Sequence, residues 1–180
     1  MAIENNSADS ITIRQANDGD IPFLVEFLVK LAVHVAGGTP QTLKQSERKN
    51  LTKFLTTALA DEDKMVVVAE DLNARLVGMG YIHVWRRESI WEEMGDKVFK
   101  SGIIDNIWVE PEYRQSGVFR AMLRELVAFA EEQGVHELVL EYALSNKEAE
   151  EVWTRLGFRP TGVRATALAE SVMAVLSDPE

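Results

Sequence analysis

The chain has 180 residues, 46% of them hydrophobic and 27% charged, ordinary values for a folded domain and evidence against disorder. Its 19 basic and 29 acidic residues leave a net charge of −10, which disfavours nucleic acid and anionic membrane as partners and suits a cationic substrate. It has no cysteine, so disulfides, thiolate nucleophiles and cysteine-ligated zinc or iron–sulfur sites are excluded.

Residues 1 to 10 are polar and acidic, without the basic-then-apolar layout of a signal peptide, and are expected to be a flexible N-terminus. Ile11 to Gln15 alternates as a first strand. Asp18 or Asp20 caps a helix that tolerates Pro22 in its first turn, carries Leu24, Phe27, Leu28, Leu31 and Val35 on one face, and ends at Gly37-Gly38-Thr39-Pro40. Its segment, Ile21 to Ala36, includes Glu26, Lys30 and His34 and is too short and too charged to span a bilayer, so a cytoplasmic protein is expected. Leu51, Phe54, Leu55, Ala58 and Leu59 mark a second helix, roughly Ser46 to Ala60. Met65 to Ala69 and Leu76 to Trp85 read as a hairpin turning at Asp71-Leu72-Asn73-Ala74. Arg86 to Gly102 is longer than a hairpin connection needs; its apolar and acidic residues suit a substrate loop, a short helix closing a pocket, or a packed surface excursion.

Ile103 to Val109 is then an apolar, β-branched and aromatic run suited to a buried strand, which must stop at Pro111. A polar turn, Glu112 to Gly117, leads into Phe119, Met122, Leu123, Leu126, Phe129 and Ala130 at helical spacing. The amides of such a turn and first helical turn, with the positive end of the helix dipole, make an anion site. Gly117 allows close approach to the backbone, and Arg114, Arg120 and Arg124 add positive charge. A P-loop requires a Lys-Ser/Thr pair that is missing here, and a dinucleotide fingerprint requires three glycines where this turn has one. The helix ends at Gly134, His136 to Tyr142 is the next strand, and Ser145 with Glu148 forms a capping box for a helix ending at Gly157. Thr161 to Ala167 and Ser171 to Leu176 read as closing strands.

Two motifs resemble those of the GNAT N-acetyltransferase superfamily. Val109, Pro111, Tyr113, Arg114, Gly117 and Leu123 follow its acetyl-CoA motif, in which a strand and a Val-x-Pro-x-Tyr-Arg segment lead to a glycine-containing turn that opens a helix. Phe119 departs from it, standing where Gly or Ala is usual, so its side chain must point away from the pyrophosphate. Leu138 to Phe158, with Asn146, Ala149, Trp153, Gly157 and Phe158, is similar to the second motif at matching spacing. The resemblance covers Met65 to Val175. It implies a single domain, residues 1 to 180, of mixed α/β (α+β) class. Its central sheet would be mostly antiparallel, of about seven strands, with helices on both faces and a bulge parting the fourth and fifth strands.

The implied reaction is transfer of the acetyl group of acetyl-CoA, as co-substrate and without a metal, to a primary amine by direct attack in a ternary complex. A small-molecule amine is the expected acceptor; a peptide N-terminus or lysine is an alternative. A module of the same fold that senses acyl-CoA without turnover is another, and a homodimer is left open. The resemblance places the cofactor at Ile107, Trp108, Val109, Arg114, Gln115, Ser116, Gly117, Val118, Phe119, Arg120, Asn146 and Trp153, with the Val109 amide aimed at the thioester oxygen. Asp105 matches a position where relatives carry a base. An ordinary aspartate is a poor base for an ammonium, and anchoring a cationic substrate is an equal reading. Trp153 occupies the place of a tyrosine that protonates the thiolate; indole is no acid, so either the thiolate leaves unprotonated, stabilised by N–H donors, or Tyr142, Ser145 or water substitutes. His34, His83 and His136 are scattered, show no metal spacing and read as surface or core residues.

Overall fold

Strand pairing begins with the hairpin read from the sequence. The structure, a computed structural model, describes residues 11–38, 43–86, 100–162 and 165–177. Asp71 makes the hairpin turn by accepting the amides of Asn73 and Arg75 at 2.8 and 3.0 Å, while Ala74 takes the left-handed conformation (φ 58°). This turn joins β2 (Lys64–Glu70) to β3 (Leu76–Arg86). β1 (Thr12–Gln15), β2, β3 and β4 (Lys100–Val109) pair antiparallel in sequence order, and β5 (Glu137–Leu140) adds to β4 in parallel. A parallel neighbour needs a crossover, which α3 (Val118–Glu132) supplies.

Alternation along β3 assigns the helices to the two faces of the sheet. Met79 and Tyr81 join a core with Leu24, Phe27 and Leu28 of α1 (Ile21–Val35) and Leu55 and Ala58 of α2 (Gln45–Leu59). Gly78 and Gly80 point the other way, against α3. A Cβ on Gly78 would lie 2.9 Å from the Trp108 carbonyl and 3.2 Å from Met122 Cε, and one on Gly80 would lie 3.0 Å from Leu126 Cδ1. The glycines thus let α3 settle close on the strand, burying Met122 and Leu126 completely, each worth roughly 2–3 kcal/mol of apolar transfer.

By its contacts the chain falls into two compact units, Met1–Glu141, with the whole sheet and α1 to α3, and Tyr142–Glu180. The second unit holds α4 (Lys147–Arg155) and α5 (Ala169–Ser177). Two sequence expectations change here. Among the described residues the sheet has five strands, not about seven, because Ser171 to Leu176 lies inside α5 and the described part of Thr161 to Ala167 is irregular. Leu168, Val172, Val175 and Leu176 recur at helical spacing among Ala, Glu and Met, all good helix formers, so the apolar count fits a helix better than a strand. At α4 the cap is Asn146, whose side-chain oxygen accepts the Ala149 amide at 3.1 Å, in place of Ser145 with Glu148. Asn146 stands one residue nearer the helix and reaches the third helical amide directly. The N-terminal segment 1–10 and the connection from 87 to 99, expected as a flexible terminus and as a substrate loop or short helix, lie outside the described residues. Among the described residues no helix is long and apolar enough to cross a membrane, and no group of three or more His, Cys, Asp or Glu is placed to hold a metal ion.

Candidate active site

β4 is paired on both edges over its first half and on one edge over its second. Ser101 to Ile104 face Glu137 to Leu140, and Ile104↔Leu140 is the last parallel pair. On the other edge the register with β3 continues to Val109↔Gly78. The Glu110 amide donates to the Val77 carbonyl at 2.9 Å, so the residues in step with Glu110, Trp108 and Asn106, turn their backbone groups toward β3. Ile107 and Val109 therefore turn theirs to the edge that β5 has left. Their side chains lie on the α3 face with Gly80 and Gly78, while Asn106 and Trp108 lie on the α1–α2 face with Tyr81 and Met79.

The register slips by one residue at this point. Tyr81 pairs with Asn106 and Ile82 with Ile104, so Asp105 is the extra residue of a β-bulge. Strict alternation would put Asp105 on the face of Ile107 and Val109; the bulge instead turns it toward His83, with Oδ2 3.2 Å from His83 Nδ1. Tyr81 stacks on His83 with ring centres 5.8 Å apart. Burial, reinforced by the negative charges of Asp105 and Asp61, pushes the Tyr81 phenol up to about 12, so it stays protonated at neutral pH. His83, read from the sequence as a surface or core residue, thus belongs to a cluster with Asp105. The hairpin register was the signal that could have placed it.

Past Val109 the chain turns through a 3-10 helix, Pro111–Tyr113, as Pro111 requires. The Glu110 side chain is buried, ion-paired with Lys30 of α1 and 3.4 Å from the Trp108 indole nitrogen. Arg114 donates through Nε to the Val109 carbonyl at 3.2 Å and lies over the Trp108 ring at 5.0 Å, so its side chain braces the turn. The Ser116 hydroxyl donates to the Tyr113 carbonyl at 2.6 Å. Gln115 and Gly117 both take positive φ, 62° and 93°, and Gly117 is the N-cap of α3 without a side-chain cap. Left-handed residues two apart, followed by a helix start, give the curled backbone from which anion nests are made. The first helical bond runs from the Ala121 amide to the Gly117 carbonyl at 3.0 Å, so the Val118 and Arg120 amides have no acceptor inside the helix. Val118 is buried and Phe119 half-buried, while Arg120 and Arg124 are exposed and make no ion pair among the described residues.

The other expected site residues belong to the second unit. There Asn146 caps α4, Trp153 packs edge-on against Phe158 with centres 5.3 Å apart, and Tyr142 is half-buried.

One stretch of 67 residues, 37% of the chain, is 36% identical to the [ribosomal protein bS18]-alanine N-acetyltransferase of Escherichia coli strain K12 and spans 45% of that protein's length. The fold is similar to that of a predicted acetyltransferase with acetyl-CoA from Clostridium acetobutylicum, with TM-score 0.72, 23% identity, and coverage of 89% of this chain and 97% of that one. It is also similar to glucosamine-6-phosphate N-acetyltransferase from Arabidopsis thaliana, with TM-score 0.65, 14% identity, and coverage of 89% and 99%. The model of the acetyltransferase (GNAT) family matches residues 33–158, a span that includes both sequence motifs, and the chain belongs to that family.

Proposed function

We propose that the chain transfers the acetyl group of acetyl-CoA to a primary amine by direct attack in a ternary complex. The observation that carries this reading is the continuity of two features. The outer edge of β4, released beyond Ile104, runs within a few residues into the glycine-capped start of α3. A diphosphate fits the second feature: amides without helical acceptors, a residue at φ 93° that brings no side chain, the positive helix end, and the nearby Arg120. A pantetheine arm, which carries amide groups, fits the first, since Ile107 and Val109 present a strand edge to it.

The chemistry has three requirements, and each is given a residue. The Val109 amide stabilises the charge that gathers on the thioester oxygen. Asp105 supplies negative charge that draws a protonated amine to the gap. Tyr142 is the hydroxyl assigned to return a proton to the departing thiolate, since Trp153 has no acidic proton to give. With no cysteine in the chain, an acetyl-cysteine intermediate has no residue to form on, which favours direct transfer.

A small-molecule amine is the proposed acceptor, in keeping with the net charge of −10. The 36% identical stretch favours a second reading, acetylation of a peptide whose N-terminal residue is alanine. Thiol release from acetyl-CoA, measured across a panel of small amines and alanine-starting peptides, separates the two. Release with neither class, together with stabilisation by acetyl-CoA, would leave a coenzyme sensor.

A further inference from the structure

We infer that His83 is the group that takes the proton from the attacking amine and that Asp105 holds its ring in place; this rests on the acetyl-transfer reading above. The placement follows from the bulge. Asp105 is the residue at which β4 gains its extra position and the first one beyond the last pair with β5. The bulge turns its carboxylate onto the face of β3 that carries His83, 3.2 Å from Nδ1. Nδ1 is buried and makes no hydrogen bond of good angle, while the His83 side chain keeps 29% of its surface exposed. The exposed surface of the ring therefore lies away from Nδ1. Such pairs are commonly loose before substrate arrives and tighten in the reacting complex.

Among the described residues the groups around the imidazole are these. Tyr81 stacks on it, Asp105 faces Nδ1, and Lys64 stands opposite on β2 with its ammonium held by Asp61 at 2.8 Å. From α2 the Phe54 ring closes on Tyr81 with centres 5.5 Å apart. Tyr81 holds its own proton too firmly to act as a base. A carboxylate is mismatched to an ammonium by several pKa units, whereas histidine as a class titrates near neutrality. In the step assigned, Nε2 removes one proton from the ammonium and frees its lone pair, and Nδ1–H is held by Asp105. The nitrogen–carbon bond forms as the carbon–sulfur bond breaks, and the electron pair leaves on the thiolate. The nitrogen sheds its second proton as the thiolate takes one up, and His83 returns its proton to solvent.

The test is the pH profile of turnover for the full chain and for His83→Gln, His83→Asn and Asp105→Asn, with acetyl-CoA affinity measured by calorimetry on each. The expected result is a loss of about 10²-fold or more in kcat for both His83 variants, with acetyl-CoA affinity unchanged and the acidic limb of the profile gone. Asp105→Asn should lose less than either His83 variant, because an amide oxygen can still accept from Nδ1–H. Retention of kcat and of the limb in His83→Gln overturns the assignment while leaving acetyl transfer standing. Loss of coenzyme affinity in both His83 variants alongside kcat also overturns it, since His83 would then be structural. Absence of thiol release from the unaltered chain with every amine and peptide overturns acetyl transfer itself, and His83 with it.

Discussion

Ile104 of β4 pairs with Leu140 of β5, and the parallel register goes no further, although β4 remains paired with β3 to Val109. A strand edge that is half covered and half released is the feature from which the candidate site is built. Its released half ends at the turn whose Gly117 opens α3.

Gly117 takes φ 93°, a conformation that costs other residues of order 1–3 kcal/mol, and its position leaves no side chain over the first amides of α3. Gly117→Trp is expected to abolish acetyl-CoA binding in calorimetry. Unaltered affinity would place the diphosphate elsewhere.

Tyr81 is buried and its phenol is pushed up to about 12, against an ordinary value near 10. A group that holds its proton more tightly when folded adds stability that is full below pH 10 and disappears as pH rises through the folded value. A shift of this size is worth roughly 2–3 kcal/mol. Thermal melts from pH 9 to 12 should show a steeper alkaline loss for the unaltered chain than for Tyr81→Phe. Parallel curves for the two proteins would count against the phenol as its source.

Gly78 faces the Trp108 carbonyl at 2.9 Å from where a Cβ would stand, and that neighbour is backbone, which yields less readily than a side-chain tip. Gly78→Ala is expected to destabilise the fold by about 1–3 kcal/mol through overpacking. The check is the midpoint of urea unfolding; no change would mean that α3 and β4 shift at little cost.

Asn146 caps α4 through the Ala149 amide at 3.1 Å. Removing the cap in Asn146→Ala should cost about 1 kcal/mol. Asn146→Asp, which keeps an oxygen acceptor, should recover most of it. Hydrogen exchange at the first amides of Lys147–Arg155 reads the loss locally, and equal protection in the alanine variant would show that the cap contributes nothing.

The sequence by itself determined the elements whose signals are local. The Asp71 to Ala74 hairpin, the strand ending before Pro111, the glycine start of α3 and its stop at Gly134 all rest on turn chemistry or apolar period within a short window. The last segment shows the limit of such signals, since Ser171 to Leu176 is apolar enough for a strand and is spaced for a helix. What tertiary structure alone decided is the register. Whether β4 carries an extra residue opposite Tyr81 and Ile82 depends on how β3 lies beside it, and no pattern within Ile103 to Val109 records that. One slipped position moves Asp105 from the face of Ile107 to the side of His83. Side chains alternate with period two along a strand, so a single added residue reverses the faces on either side of it, and only the partner strand reveals where it was added.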